Sequence, residues 1–306
     1  MPAGPTRREV LLAAMAGAAA VGCGHGADSA ATTTTTAGTS TTTTSTPTTG
    51  AAPTAPTAGA PPTTPATPDL AAVVARHTGV VPTQWGTDVT GVDRTVADRT
   101  GPTMALTFDA CGGPHADGVD EDLLGLLERE HLPATMFLNG RWVLANQPTV
   151  ERILANPLFE IANHGTLHLP LSVDGRSAYG IRGTTSVPEV VEEVWRNHDL
   201  LTRVTGRAPR WFRSGTAHYD EVATAVVSDL GEQAVGFTIN GDAGATFGAD
   251  QVRRTLLAPS APGSVVLMHM IRPQGGTAEG LAAALGDLRA RSTRFVTLSG
   301  GGGAAT

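Results

Sequence analysis

The chain has 306 residues, 41% of them hydrophobic, with 21 basic and 28 acidic residues and a formal net charge of −7. Every basic residue is arginine; the sequence contains no lysine. An acidic chain without a basic stripe excludes a nucleic-acid partner from the expectations.

The chain opens on Thr6-Arg7-Arg8-Glu9-Val10-Leu11-Leu12 and an alanine-rich apolar run that ends at Val21-Gly22-Cys23. This reads as a twin-arginine export signal over residues 1–23, too short in its apolar part to remain as a spanning helix. Ala20-Val21-Gly22-Cys23 also resembles a lipoprotein cleavage box, so Cys23 is expected to carry lipid and anchor an exported, extracytoplasmic protein to the membrane. Removing residues 1–22 leaves 19 basic against 27 acidic residues, a balance of −8. Cys111 is the only other cysteine, so a lipidated Cys23 leaves no disulfide. Residues 24–68 are dominated by Thr, Ala, Pro, Gly and Ser and have no apolar periodicity. Such a stretch cannot offset the entropy of ordering, and it is expected to act as an extended stalk or linker. Residues 69–298 form the one sizeable domain, and 299–306 a glycine-rich tail.

Within the domain, seven short apolar runs predict strands at 103–108, 134–138, 158–162, 209–213, 233–239, 264–268 and 294–298. Most are continuous rather than alternating, as strands buried on both faces are. Helical patterns lie between them. Leu123, Leu124, Leu126 and Leu127 give an apolar face after Asp120-Glu121-Asp122. Ser186 and Glu189 give a capping box that opens a helix stopped by Gly206. Residues 220–230, 250–258 and 277–290 complete the set. The alternation predicts an α/β fold, a distorted (β/α) barrel of about seven parallel strands, with a doubly wound open sheet as the competing topology.

Polar residues follow these runs. Asp109 closes the first, Asn163 and His164 follow the third, Arg213 closes the fourth, Asp242 follows the fifth and His269 closes the sixth. A parallel barrel brings the carboxyl ends of its strands to one face, where the chemistry of such barrels sits. One pocket is therefore expected to hold Asp109, Asp242, His164, His168, His269 and Arg213. His164 and His168 are spaced i, i+4, so on a helical turn both can reach one metal ion; loop histidines bonded to carbonyls are the plainer alternative. Cys111 reads as a small buried thiol rather than a nucleophile or soft ligand. His131 and His198 read as solvated or boundary residues, and Trp142 and Trp195 as packing.

Thr107-Phe108-Asp109, His164-xxx-His168, Phe212-Arg213 and Leu267-Met268-His269, in this order, resemble the polysaccharide deacetylase family, the NodB-homology domain of carbohydrate esterase family four. Pro133 to Gly140, Glu160 to His164, Gly276 to Leu281 and Arg294 to Leu298 carry the resemblance further, so that it covers residues 101–298. It implies a distorted barrel of NodB-homology type and metal-dependent removal of acetyl groups from sugars. By the resemblance, Asp109 stands at the general base, His164 and His168 at two metal ligands, Arg213 at the arginine that orients the base, and His269 at the general acid. The implied cofactor is one divalent ion, with zinc expected.

The departures are equally specific. The family's second Asp of the first motif, a metal ligand, is Ala110 here. Asp109 moving onto the metal, a water, or His115 swinging in would each fill the position. Ser214 to Tyr219 and Asn240 to Thr246 depart from the family's third and fourth motifs. Asp242 either pairs with His269 or serves a turn or capping role. The reading is a monomeric hydrolase acting on an N-acetylated cell-envelope or related polysaccharide. An O-acetyl ester hydrolase or a degenerate carbohydrate-binding module on the same fold are the alternatives.

Overall fold

The computed structural model describes residues 67–113 and 116–300. The export signal, nearly all of the stalk, His115 and the last six residues of the tail lie outside the described residues. Among the described residues, no helix is long and apolar enough to cross a membrane.

The order is α1 (Leu70–His77), β1 (Val92–Asp93), β2 (Thr103–Ala110), α2 (Glu121–Arg129), β3 (Ala134–Leu138), α3 (Gly140–Ala145), α4 (Gln147–Ala155), β4 (Phe159–Asn163), α5 (Val187–Thr205), β5 (Trp211–Phe212), α6 (Glu221–Asp229), β6 (Gln233–Val235), β7 (Ile239–Asn240), α7 (Ala249–Leu257), β8 (Ser264–His269), α8 (Thr277–Ala290) and β9 (Arg294–Val296). All named strands pair in parallel, in the order β1-β6-β5-β4-β3-β2-β8-β7, with β9 against the first half of β2. Among the described residues there are nine strands rather than seven. Two-residue β1 carries no periodicity to detect, and the run 233–239 is broken in two.

That break carries the chain across the gap between the two sides of the sheet. Gly236 still donates its amide to Asp93 of β1 (2.8 Å), whereas Thr238 donates to Val265 of β8 (3.0 Å), on the other side of the gap. The chain between β6 and β7 thus spans from one edge of the sheet to the other. A side chain at Gly236 would meet Val92 Cγ1 at 2.9 Å and Thr87 O at 3.1 Å, which explains the glycine at the bend.

The barrel interior holds Val96, Ala105, Phe137, Ala162, Val235, Val265, Val296 and Leu298. Two other clusters fill the space outside the sheet. One collects Leu106, Phe108 and Met136 with the leucines of α2 and α8; the other collects Phe212 and Ala234 with the valines of α5 and α6. Local signals place the helices as expected. Asp120 caps α2 by accepting from Leu123 N (3.0 Å). Ser186 caps α5, and Gly206 ends it in the left-handed region. The expected capping box is half made: Glu189 reaches back to the amide and hydroxyl of Thr185 rather than to Ser186. The tail does not begin free, since Ser299 donates its amide to Glu160 (3.2 Å).

One buried network was not legible locally. His198 is buried rather than solvated. It stacks on Trp195 (centroids 4.3 Å apart) and bonds through Nδ1 to Glu232 Oε1 at 2.8 Å. Asn163 donates to the same oxygen (2.8 Å). Burial pushes the Glu232 carboxyl up to about 7, against these two bonds. A carboxyl raised above its unfolded value of 4.5 favours the fold most below that pH, and the advantage is lost as pH rises through about 7. Glu193, also near 7, acts in the same direction. Glu232→Gln cannot ionise and is expected to lessen the fall in melting temperature between about pH 5 and 8. An unchanged slope in thermal melts would show that Glu232 titrates normally.

Candidate metal and catalytic site

The six polar residues at the strand ends do converge. β2 and β8 run in register, setting Asp109 opposite His269. Arg213, just past β5, turns inward and is fully buried. Its Nη1 donates to Asp109 Oδ1 (2.7 Å) and Thr107 Oγ1 (2.8 Å), and its Nη2 to the Gly236 carbonyl at the barrel seam (3.0 Å). The guanidinium also lies 4.1 Å from the Phe137 ring centre. Burial alone would raise the Asp109 carboxyl. The Arg213 charge, followed by His164 and His269, outweighs it and holds Asp109 below the usual carboxylate range.

His164 is fixed from the other side. Its Nδ1 donates to the Arg213 carbonyl (2.8 Å), which leaves Nε2 facing the site, 3.6 Å from Asp109 Oδ2. Burial lowers the His164 pKa, but the charges of Asp109 and Cys111 raise it above the usual imidazole value. His168 sits on a loop in the left-handed region, φ 63°, with its ring edge-on to that of His164. Glu193 of α5 clamps this loop by accepting from the amides of Leu167 (2.9 Å) and Leu169 (3.1 Å). The Nε2 atoms of both histidines are buried and have no hydrogen-bond partner among the described residues. Buried nitrogens in that state suit a ligand not supplied by protein. The pair therefore fits one divalent ion, by convergence of a strand end and a loop rather than by a helical i, i+4 turn.

A third donor joins them. The Cys111 sulfur and one nitrogen from each imidazole lie within 4.8 Å of one another. Cys111 is buried, as expected of a small thiol, but it faces the site. Burial raises its pKa, while His168 and then His164 and His269 lower it well below the usual thiol value.

His269 and Asp242 form a separate pair. His269 Nδ1 donates to Asp242 Oδ1 (2.9 Å), and its amide donates to Oδ2 (2.6 Å). Thr277 at the start of α8 also donates to Oδ2 (3.0 Å). Asp242 has a turn role as well, accepting through its backbone carbonyl from Thr246 and Phe247. Burial lowers the His269 pKa, but Asp242 and then Cys111 outweigh it, and the imidazole ends well above its usual value.

Asn163 belongs to the scaffold, bonded to Val194, Glu232, Gly165 and Asn197. Trp142 is buried packing, and Trp211 bonds to Glu160 away from the site. Close approach also shapes the site. A Cβ on Gly215 would lie 2.2 Å from the His168 carbonyl oxygen, a backbone atom. Gly215→Ala is therefore expected to displace His168 and weaken metal binding by about 10–100-fold, the cost typical of disturbing what orients a ligand. Metal titration checks this, and unchanged affinity would mean that the loop yields freely.

The polysaccharide deacetylase family profile matches residues 97–235. The chain is 29% identical over 186 residues to a chitooligosaccharide deacetylase of Bradyrhizobium sp. (strain ANU 289), covering 60% of this chain and 78% of that protein. It is 26% identical over 198 residues to a peptidoglycan-N-acetylglucosamine deacetylase of Bacillus cereus, covering 64% of this chain and 66% of that one. Two solved structures share the fold. A family 4 carbohydrate esterase from Bacillus subtilis has a TM-score of 0.57 at 18% identity, covering 75% of this chain and 87% of that one. A CE4 family pseudoenzyme from Bacillus anthracis has a TM-score of 0.56 at 20% identity, covering 66% of each chain. Asp242 and His269 lie beyond the stretch matched by the profile, and the parallel barrel joins them to it. The barrel and the matched stretch agree: residues 97–235 match the polysaccharide deacetylase family, and the fold is that of the family 4 carbohydrate esterase from Bacillus subtilis.

Proposed function

We propose that this protein is an exported, lipid-anchored, metal-dependent hydrolase that removes acetyl groups from an N-acetylated polysaccharide of the cell envelope or a related polymer. One observation carries the reading. A carboxylate paired with Arg213 and an imidazole paired with Asp242 face each other across the ends of β2 and β8, beside two imidazoles whose Nε2 atoms have no partner among the described residues.

A divalent ion held at His164 and His168, zinc by the preference of neutral imidazoles, would supply polarisation of the acetyl carbonyl and a lowered water pKa. The rest falls to side chains. Asp109 takes the proton of the attacking water, and Arg213 keeps its carboxylate oriented and charged. His269 donates a proton to the departing nitrogen, with Asp242 fixing its tautomer and charge. An amine leaves only when protonated, whereas an ester alkoxide needs this less, so the His269–Asp242 pair favours the amide over the O-acetyl reading. The anchor and stalk would let the domain reach polymer away from the membrane.

The test is release of acetate and free amine from N-acetylated chito-oligosaccharide and from peptidoglycan, with O-acetylated xylan alongside, before and after chelation. Amine release that chelation abolishes is the expected result. Ester cleavage alone would favour the esterase reading. Binding of the oligosaccharide without any hydrolysis would favour the binding module.

A further inference from the structure

We infer that Cys111 is the third protein ligand of the metal, so that the centre is Cys–His–His in place of one built on a carboxylate. This rests on the metal-dependent reading above and specifies its site.

The geometry of β2 assigns the role. Thr107 and Asp109 both touch the Arg213 guanidinium, so odd positions of this strand face the barrel interior. Side chains alternate along a strand, and β2 continues to Ala110. Ala110 therefore faces away from Asp109 and is fully buried in the cluster beneath the helices. Cys111 follows the end of the strand and packs partly in the same cluster as Ala110, but its sulfur lies within 4.8 Å of a nitrogen of His164 and of His168. The chain then turns through Gly112 and Gly113, both with positive φ. A Cβ at Gly112 would lie 2.7 Å from Trp142 N, so the turn that presents Cys111 requires glycine there.

The three donors already converge within 4.8 Å. Around a tetrahedral zinc, with bonds of about 2.3 Å to sulfur and 2.0–2.1 Å to nitrogen, they would be about 3.5 Å apart, a modest contraction. Two independent features support a ligand here. His164 Nε2 and His168 Nε2 are buried without partners among the described residues, and His164 is only 1% exposed. Asp109, the other candidate anion, is committed to Arg213 through Oδ1. On binding, the Cys111 S–H bond breaks, its proton passes to solvent, and the sulfur lone pair forms the bond to the metal. One thiolate gives the same formal charge as one carboxylate, and three protein ligands leave a position open for catalysis.

Cobalt(II) provides the probe, because thiolate ligation gives a near-ultraviolet sulfur-to-cobalt charge-transfer band that nitrogen and oxygen ligands do not. The full chain is used with Cys23→Ser, so that only Cys111 can report. The parent should bind one equivalent of cobalt with this band. Cys111→Ser should lose the band and bind cobalt at least about 100-fold more weakly, at or beyond the upper end seen for disturbed ligand supports. Cys111→Asp should restore binding without the band. A parent that binds cobalt with no such band, or binds none, overturns the inference, as does unchanged affinity in Cys111→Ser. If Cys111→Ser does not fold, the parent spectrum decides alone. The two readings fail separately. Acetyl hydrolysis without the band removes the thiolate and leaves the function; the band without hydrolysis of any acetylated glycan keeps the centre and removes the function.

Discussion

Asp109→Asn is expected to lower turnover of an N-acetylated chito-oligosaccharide by about 10²–10⁴, the range for removing a general base, while bound metal stays unchanged. The variant preserves shape and an oxygen for Arg213, so geometry alone should not account for the loss. It removes the negative charge, and Arg213 is fully buried with no other anion among its hydrogen-bond partners. A buried charge left without its partner costs about 3–5 kcal/mol, so the variant should also melt well below the parent. The sign with pH follows from the lowered carboxyl. Its stabilisation is present above the unfolded value of 3.8 and is lost as pH falls through the still lower folded value. The parent should therefore lose stability in acid more steeply than Asp109→Asn. Metal analysis beside kinetics separates the roles: loss of metal would make Asp109 a ligand rather than a base.

The second large effect concerns the acid. His269→Ala is expected to reduce amide turnover by about 10²–10⁴ with metal affinity nearly unchanged. Asp242→Asn is the sharper probe. Asp242, with Cys111, holds the His269 imidazolium against burial, so a neutral isostere of Asp242 should let the His269 pKa fall. An acid must be protonated to act, and the alkaline limb of the rate profile should move to lower pH. Activity at low pH should be spared more than activity at high pH. A uniform loss across the profile would limit Asp242 to supporting the loop that carries it. Unchanged turnover in His269→Ala would place the acid elsewhere.

Much of this site was legible because parallel strands buried on both faces write themselves as unbroken apolar runs. The residue ending each run is then a residue of the site face, and Asp109, His164, Arg213 and His269 were found in this way. What stayed hidden depended on one or two residues of register. Cys111 lies just past the end of β2, where no strand alternation gives it a face, and the turn through Gly112 and Gly113 sets its sulfur near the two imidazoles. The bend at Gly236 was hidden too, since an apolar run does not say which neighbour each amide will bond. Short α3 and α4 are joined at Asn146 and too brief for a clear period. His198 looked exposed on a helix because its partner, Glu232, is 34 residues away.

The seam between β6 and β7 ties local opening to chemistry. Its two freed carbonyls are both capped by arginines, Gly236 by Arg213 and Phe237 by Arg94 (2.9 Å). Arg213 holds Asp109 with the same guanidinium. Any fluctuation that parts the barrel at this joint must loosen the cation that keeps the base charged. A ligand that stabilises the Asp109 carboxylate should, by reciprocity, slow such partings. Amide hydrogen exchange would register this coupling at Gly236 and Thr238, whose protection should rise when metal and a product acetate are bound, although neither residue touches them.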